Sequence, residues 1–290
     1  MTVMLQIYDK LWTASVLALA ALTVPAAAET GGTGGCDLSD GYARDVPAFV
    51  AEAEACLAVS ATAPAEATAE RIAILTERLR AKAGLEPFGT RQSLDEAARA
   101  HALDMAARGY VAHEDPEGRH HLDRLRALDR TLLVGATGAN VAAVPKHLDP
   151  IAAFNALIAD PINLENLTRA SFTHAGVGVA EGEDAFYLVQ VFAQVDGELE
   201  TPLPLRLPAL ASVKADLRNP RFETEAWRLE AADGRPVRRG RGTTILARDG
   251  APGDEGPYFL KIDARLGTSV YALNGPMVSA QAGRDPVTTD

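Results

Sequence analysis

From Ser93 to His113 the chain reads SLDEAARAHALDMAARGYVAH, and Leu94, Ala98, His101 and Met105 recur at helical spacing. That period predicts a helix with one buried face and a polar ring, His101, in its middle. Ser93 followed by Glu96 predicts a capping box at the start, and Gly109 predicts a left-handed cap at the end. His113 then falls in the turn-rich run HEDPEG, so a rigid helix would deliver one imidazole to solvent.

Upstream, Phe49, Val50, Ala53, Cys56 and Leu57 lie at helical intervals, and Ile72, Leu75 and Leu79 mark a second helix ending at Gly84. Between them SATAPAEATAE, Ser60 to Glu70, reads as a linker by composition. Downstream, Leu122 to Asp129 is a short helix candidate, and Gly135 to Gly138 reads as a break. Asp149 followed by Pro150 predicts a capped helix through Phe154, Leu157 and Ile158 that Asp160-Pro161 interrupts.

From Thr173 the period changes to two. HAGVGVA, an EGED turn and FYLVQVFA predict a β-hairpin, and helices around a hairpin make an α+β domain. Pro202, Pro204 and Pro208 then mark a linker over 196–208. Beyond it, Ala226 to Glu230, Thr243 to Ala247, Tyr258 to Ile262 and Val270 to Leu273 alternate with turns, which predicts a small sandwich-like β domain of roughly five strands over 209–290. The Arg-rich run GRPVRRGRG within it has acidic neighbours and reads as a solvated turn.

The apolar run Leu11 to Val24 precedes Pro25 and Ala26-Ala27-Ala28, the pattern of a secretory signal over 1–28 cleaved before Glu29. An uncleaved anchor is the alternative, although the run falls short of the roughly 20 residues of a bilayer span. Cys36 and Cys56 are the two cysteines of the chain, in an arm and linker over 29–69. An even pair in an exported chain predicts a disulfide, with idle thiols as the alternative. With 47% hydrophobic and 23% charged residues the chain is ordinary for a globular protein of its 290 residues. A formal charge of -11 argues against a nucleic-acid or anionic-membrane surface, because phosphate contacts need clustered Lys and Arg.

LTERLRAKAGLEPF (Leu75 to Phe88), LDEAARAHALDMAARGYVAH (Leu94 to His113), PEGRHHLDRLRA (Pro116 to Ala127), GANVA (Gly138 to Ala142), SFTHAGVGVA and FYLVQVF (within Ser171 to Phe192) occur in that order. Together they resemble the CAP superfamily, or SCP domain, of cysteine-rich secretory proteins, antigen 5 and pathogenesis-related proteins, in its bacterial exported branch. The resemblance covers residues 70–195 and implies a three-layer α-β-α sandwich with a central cleft. In the family that cleft carries two His and two acidic residues, which in some members bind a divalent metal. Here His113 stands at the first His, Ala139 at the Glu of the GENIA-like motif, Asn163 at the second His, and Asp160 on or near the remaining acidic position.

A metal site needs three or four His, Cys or carboxylate ligands converging on one point. The resemblance leaves one imidazole and one carboxylate, so no metal and no cofactor are expected. Ligand-cleft candidates are His113, Asn140, Asp160 and Asn163, and the candidates for acid/base work are His113 and Asp160. His120 and His121, adjacent in a helix, would point about 100° apart. His147 and His174 read as surface residues, and His101 as a core histidine satisfied by a backbone carbonyl. No G-x-S-x-G elbow supplies a nucleophile, and Ser171 and Thr173 read as turn hydroxyls. The expectation is an exported, periplasmic or extracellular, non-catalytic protein whose cleft binds a small molecule, a lipid, a cell-envelope fragment or a protein. It would have no nucleic-acid partner and no stable membrane span after cleavage. A hydrolase of peptide or envelope material using His113 and Asp160 is the alternative.

Overall fold

The computed structural model describes residues 38, 46–59, 61–208, 210–246 and 257–279. The expected signal sequence and Cys36 lie outside these residues. Everything described belongs to one compact unit that runs from Gly35 onward.

Helix α1 (Val46–Ala58) is followed by α2 (Ala63–Lys82). The Ala-rich stretch expected as a linker is thus largely the first turns of α2. Thr62 caps it by accepting from the Ala65 amide, Pro64 sits in the first turn, and alanine is the best helix former. Helix α3 (Gln92–Arg108) ends at Gly109, whose φ of 69° is left-handed. The expected capping box is not formed: the helix begins a residue earlier, and the Ser93 hydroxyl donates to Asp129. Asp129 also holds Arg91 at 2.5 Å, so a tertiary ion pair displaces the local cap.

After α4 (His121–Leu128) comes β1 (Leu132–Pro145), which runs through the glycines expected as a break. The register against its neighbour shifts between Val134 and Ala136, so Gly135 occupies a bulge inside a long strand. Helices α5 (Pro150–Ile158) and α6 (Pro161–Thr168) start at Asp149 and Asp160, whose carboxylates accept from amides of the first turn. The hairpin is β2 (His174–Glu181) with β3 (Ala185–Leu199), in antiparallel register.

Alternation on these strands sorts the side chains into two cores. Val134, Val189, Val191 and Val195 meet Leu94, Ala98, Ala102 and Met105 of α3 on one face. Leu188 and Phe192 meet Ile72, Phe154, Leu167 and Phe172 from the α2, α5 and α6 side on the other. This is the three-layer α-β-α arrangement. Helix α3 lies flush on β2: a Cβ added to Gly176 would fall 2.2 Å from the Leu94 carbonyl carbon, and one on Gly178 would fall 2.2 Å from the Arg99 amide nitrogen.

The C-terminal part is all-β, with β4 (Leu210–Ser212), β5 (Ala215–Leu217), β6 (Glu223–Glu230), β7 (Pro236–Gly240), β8 (Thr244–Leu246), β9 (Pro257–Leu266) and β10 (Ser269–Ser279). Its strands continue the first sheet instead of forming a second one: the order is β2-β3-β1-β10-β9-β6-β7, with β5 also on β3, and β4-β8 make a separate ribbon. That ribbon places Ala211 and Ile245 in a core with Leu229, Leu260 and Ile262. The proline run is packed as well. Leu203 and Leu207 are buried in the same core, and Arg130 donates to the carbonyls of Leu203 at 2.9 Å and Met277 at 2.8 Å. The Arg-rich run expected as a solvated turn contains the edge strand β7.

Replacing Gly178 by Ala would drive a methyl into the backbone of α3, and such overpacking costs on the order of 2–3 kcal/mol. The expected outcome for Gly178→Ala is a urea midpoint lowered accordingly, measured by circular dichroism.

Candidate functional site

The segment after α3 is held by charge. Asp115 is buried; its Oδ1 accepts from the amides of Glu117 and Arg119, and its Oδ2 pairs with Arg119 Nε at 2.5 Å and Arg124 at 3.3 Å. A carboxylate that closes its own turn while bridging two buried guanidinium groups fixes the loop carrying His113. His113 itself is exposed, and it lies close enough to His101 and His121 for its charge to act on both.

His101 is a core histidine. Its Nε2 meets the Ala112 carbonyl at 2.7 Å, which can only accept, so that nitrogen carries the proton. Burial, then the Arg124 charge, lowers its pKa to about 3. Tyr110 stands beside it and donates to buried Asp104, so burial and that carboxylate push the phenol upward. His121, at the start of α4, sets Nε2 3.1 Å from the Thr137 hydroxyl of β1. Its Nδ1 is shut from solvent with no hydrogen-bond partner among the described residues. Burial first, then Arg124, His113 and His120, lowers this pKa to about 4, so the ring is neutral at pH 7. His120 is exposed and faces Glu114 at 3.4 Å.

The other expected cleft residues are elsewhere. Beyond the bulge, β1 alternates regularly, so Thr137, Ala139 and Val141 share the face toward α3 and α4 while Asn140 points the opposite way. Asn140 is fully buried: its Nδ2 donates to the Asn163 carbonyl at 3.0 Å and to Gln190 at 3.1 Å, and its Oδ1 accepts from Asn166 at 3.0 Å. Gln190 continues the chain to Thr76 at 2.8 Å. Asn163 donates to the Leu157 carbonyl, and exposed Asp160 caps α6 through the Ile162 amide at 2.8 Å. The two asparagines are therefore internal fasteners. Among the described residues no hydrogen bond or ion pair joins His113 to Asp160, and no three His, Cys, Asp or Glu side chains gather as metal ligands would.

What the geometry joins is His121 and Thr137, and no hydrogen bond among the described residues links either of them to His113. Sequence reasoning set His121 aside because adjacent histidines cannot easily share a metal. The available signal was its position at the start of a helix directly after the His113 turn.

Residues 75–192 match the profile described as CAP: Cysteine-rich secretory protein family. That stretch of the chain is a CAP domain. The CAP match begins within α2, takes in α3 to α6, β1 and β2, and ends within β3, before the C-terminal strands. The uncharacterized protein YkwD of Bacillus subtilis (strain 168) is 28% identical over 122 residues, which are 42% of this chain and 46% of that protein. The chain thus spans about half the length of the curated relative it matches. Among solved structures, an extracellular protein containing a SCP domain from Bacillus anthracis str. Ames is 25% identical, with a TM-score of 0.39 over 50% of this chain and 43% of that one. An outer surface protein from Borrelia burgdorferi is 19% identical, with a TM-score of 0.38 over 44% of this chain and 95% of that one.

The two buried rings tie stability to pH. In the unfolded chain each titrates at the ordinary 6.5, whereas in the fold His101 does so at about 3 and His121 at about 4. The unfolded state therefore binds more protons between those values, and the stabilisation is complete above pH 6.5 and lost as pH falls toward 4. Denaturant titrations at pH 7 and pH 4.5 should show His121→Gln losing less stability on acidification than the wild type, by on the order of 2 kcal/mol.

Proposed function

We propose that this CAP protein is exported and acts by recognition, binding a ligand or partner at the face formed by His113, His121 and Thr137, and that it does not catalyse a reaction there. The observation that carries the reading is the isolation of His113: its imidazole is exposed on a braced loop, and Asp160, the carboxylate that would partner it, caps α6 without touching it. General base catalysis requires a group that orients the base and one that receives the charge. Ala139, at the family's Glu position, offers neither. A lipid, a cell-envelope fragment or a protein is the ligand class that family membership suggests.

Export rests on the apolar run before Ala26-Ala27-Ala28. In that compartment we propose that Cys36 pairs with Cys56. Cys56 is buried in α1, packed in the core that includes Phe49, Ala100 and Met277, and a bond to the preceding segment would stabilise the arm by about 3 kcal/mol. Thiol titration of the denatured protein is expected to find no free thiol before reduction and two afterwards.

The recognition reading is tested with muropeptides, phospholipid vesicles and a peptide library. At least one should be retained by the wild type, recovered chemically unchanged, and released from His113→Ala, whose melting temperature should equal the wild type's. Turnover of any of these that His113→Ala and Asp160→Ala abolish at unchanged melting temperature would replace binding by hydrolysis, and retention of none of them would remove both.

A further inference from the structure

We propose that the N-terminal arm is a redox-sensitive brace for the loop that carries His113, tight while Cys36 is bonded to Cys56 and loosened when a dithiol opens that bond. The device rests on the disulfide and the recognition face proposed above, and it couples the one to the other.

The coupling runs through one side chain. Arg119 is fully buried and touches the arm and the loop at once. On the loop side its Nε pairs with Asp115 at 2.5 Å, and its amide donates to Asp115 Oδ1 at 2.8 Å. The same turn is closed by the Glu117 amide on Asp115 Oδ1 at 3.2 Å and by the Gly118 amide on the Asp115 carbonyl at 2.9 Å. On the arm side Arg119 Nη2 donates to the Leu38 carbonyl, and the guanidinium lies 4.7 Å from the centre of the Phe49 ring in α1. Leu38 is buried in one core with Phe49, Ala53 and Cys56. An ion pair strengthens as water is kept from it, so the arm that covers Arg119 tightens its bridge to Asp115, two residues beyond His113.

The two contacts on the arm side are held unequally. Phe49 and Cys56 belong to α1, which packs against α3, α4 and β10 and whose Val46 amide donates to Ser279 Oγ at 2.9 Å, so α1 stays in place whatever the state of the sulfurs. Leu38 precedes α1 and lies two positions after Cys36. Ordering backbone ahead of a helix costs more conformational entropy than one buried leucine and one hydrogen bond return, and a cross-link removes much of that cost. To open it, a thiolate of the dithiol attacks one sulfur. The protein disulfide takes up two electrons and two protons to become two thiols, and the dithiol is oxidised to its own disulfide. Leu38 then leaves Arg119, water reaches the guanidinium, and the Asp115 turn loses its cover.

Amide hydrogen exchange followed by NMR, on protein purified without reductant and on the same protein in dithiothreitol, reads the brace directly. Reduction should speed exchange of the Glu117, Gly118 and Arg119 amides by about tenfold or more, while the amides of α5 and α6, across the sheet, keep their rates. Cys36→Ser with Cys56→Ser should show the fast loop rates in both conditions. Leu38→Ala with the disulfide intact should speed the same three amides without reductant. Equal loop rates in the two redox states, rates in α5 and α6 that rise in the same proportion as those of the loop, or free thiols before reduction would overturn the proposal. The measurement uses no ligand, so failure of recognition at the His113 face does not alter its outcome.

Discussion

The bare backbone contact between α3 and β2 is the constraint on which the rest of this fold depends. Gly176 and Gly178 let the carbonyl and amide atoms of Leu94, Asp95, Ala98 and Arg99 approach the strand where any side chain would collide. The Asp95 carboxylate also accepts a hydrogen bond from the Val177 amide at 2.9 Å. With the helix seated at this depth, Leu94, Ala98, Ala102 and Met105 reach the valines of the sheet, and the end of α3 has one possible position. Gly109 turns the chain there, and the Asp115, Arg119 and Arg124 cluster holds the loop between α3 and α4. The exposure of His113 is thus set by contacts made well away from it.

Strand β1 separates the chemistry of the protein from its fastening. One face carries Thr137 and Ala139 toward α4, where His121 sits neutral and His113 lies nearby. The other carries Asn140 into a closed chain of amides that joins α2, α6 and β3. Buried amides of this kind must be satisfied, and a partly satisfied network is worse than an apolar core. Asn140, Asn163 and Asn166 satisfy one another and nearby carbonyls, so their polarity serves the packing of α6 against the sheet.

The C-terminal strands are bound to the CAP domain through guanidinium groups on carbonyls as well as through the sheet. Arg126 donates to Gly275 at 2.7 Å and Leu260 at 2.9 Å, and Arg130 reaches across to the proline run and β10. Burial lowers the Arg130 pKa to about 10, yet the group remains charged near neutrality. Its donors fill carbonyls that an edge-to-edge join would otherwise leave open, which is why prolines that read as a tether are part of a packed seam.

Sequence alone determined the elements whose signals are local. The period of α3, the left-handed Gly109, the carboxylate cap of α5, the alternation of β2 and β3, and the ordered motifs of the family all follow from neighbours within a few positions. His101 as a carbonyl-bonded core residue was legible for the same reason. What needed tertiary structure was every choice between two locally acceptable partners. Ser93 answers to Asp129 instead of its own helix, and Gly135 is a bulge in a strand instead of a break. Asn140 faces away from the residue beside it, and His121 meets a threonine sixteen positions on. The C-terminal strands join an existing sheet because β1 still had an open edge, and pairing that edge satisfies backbone groups that no feature of the sequence marks as unpaired.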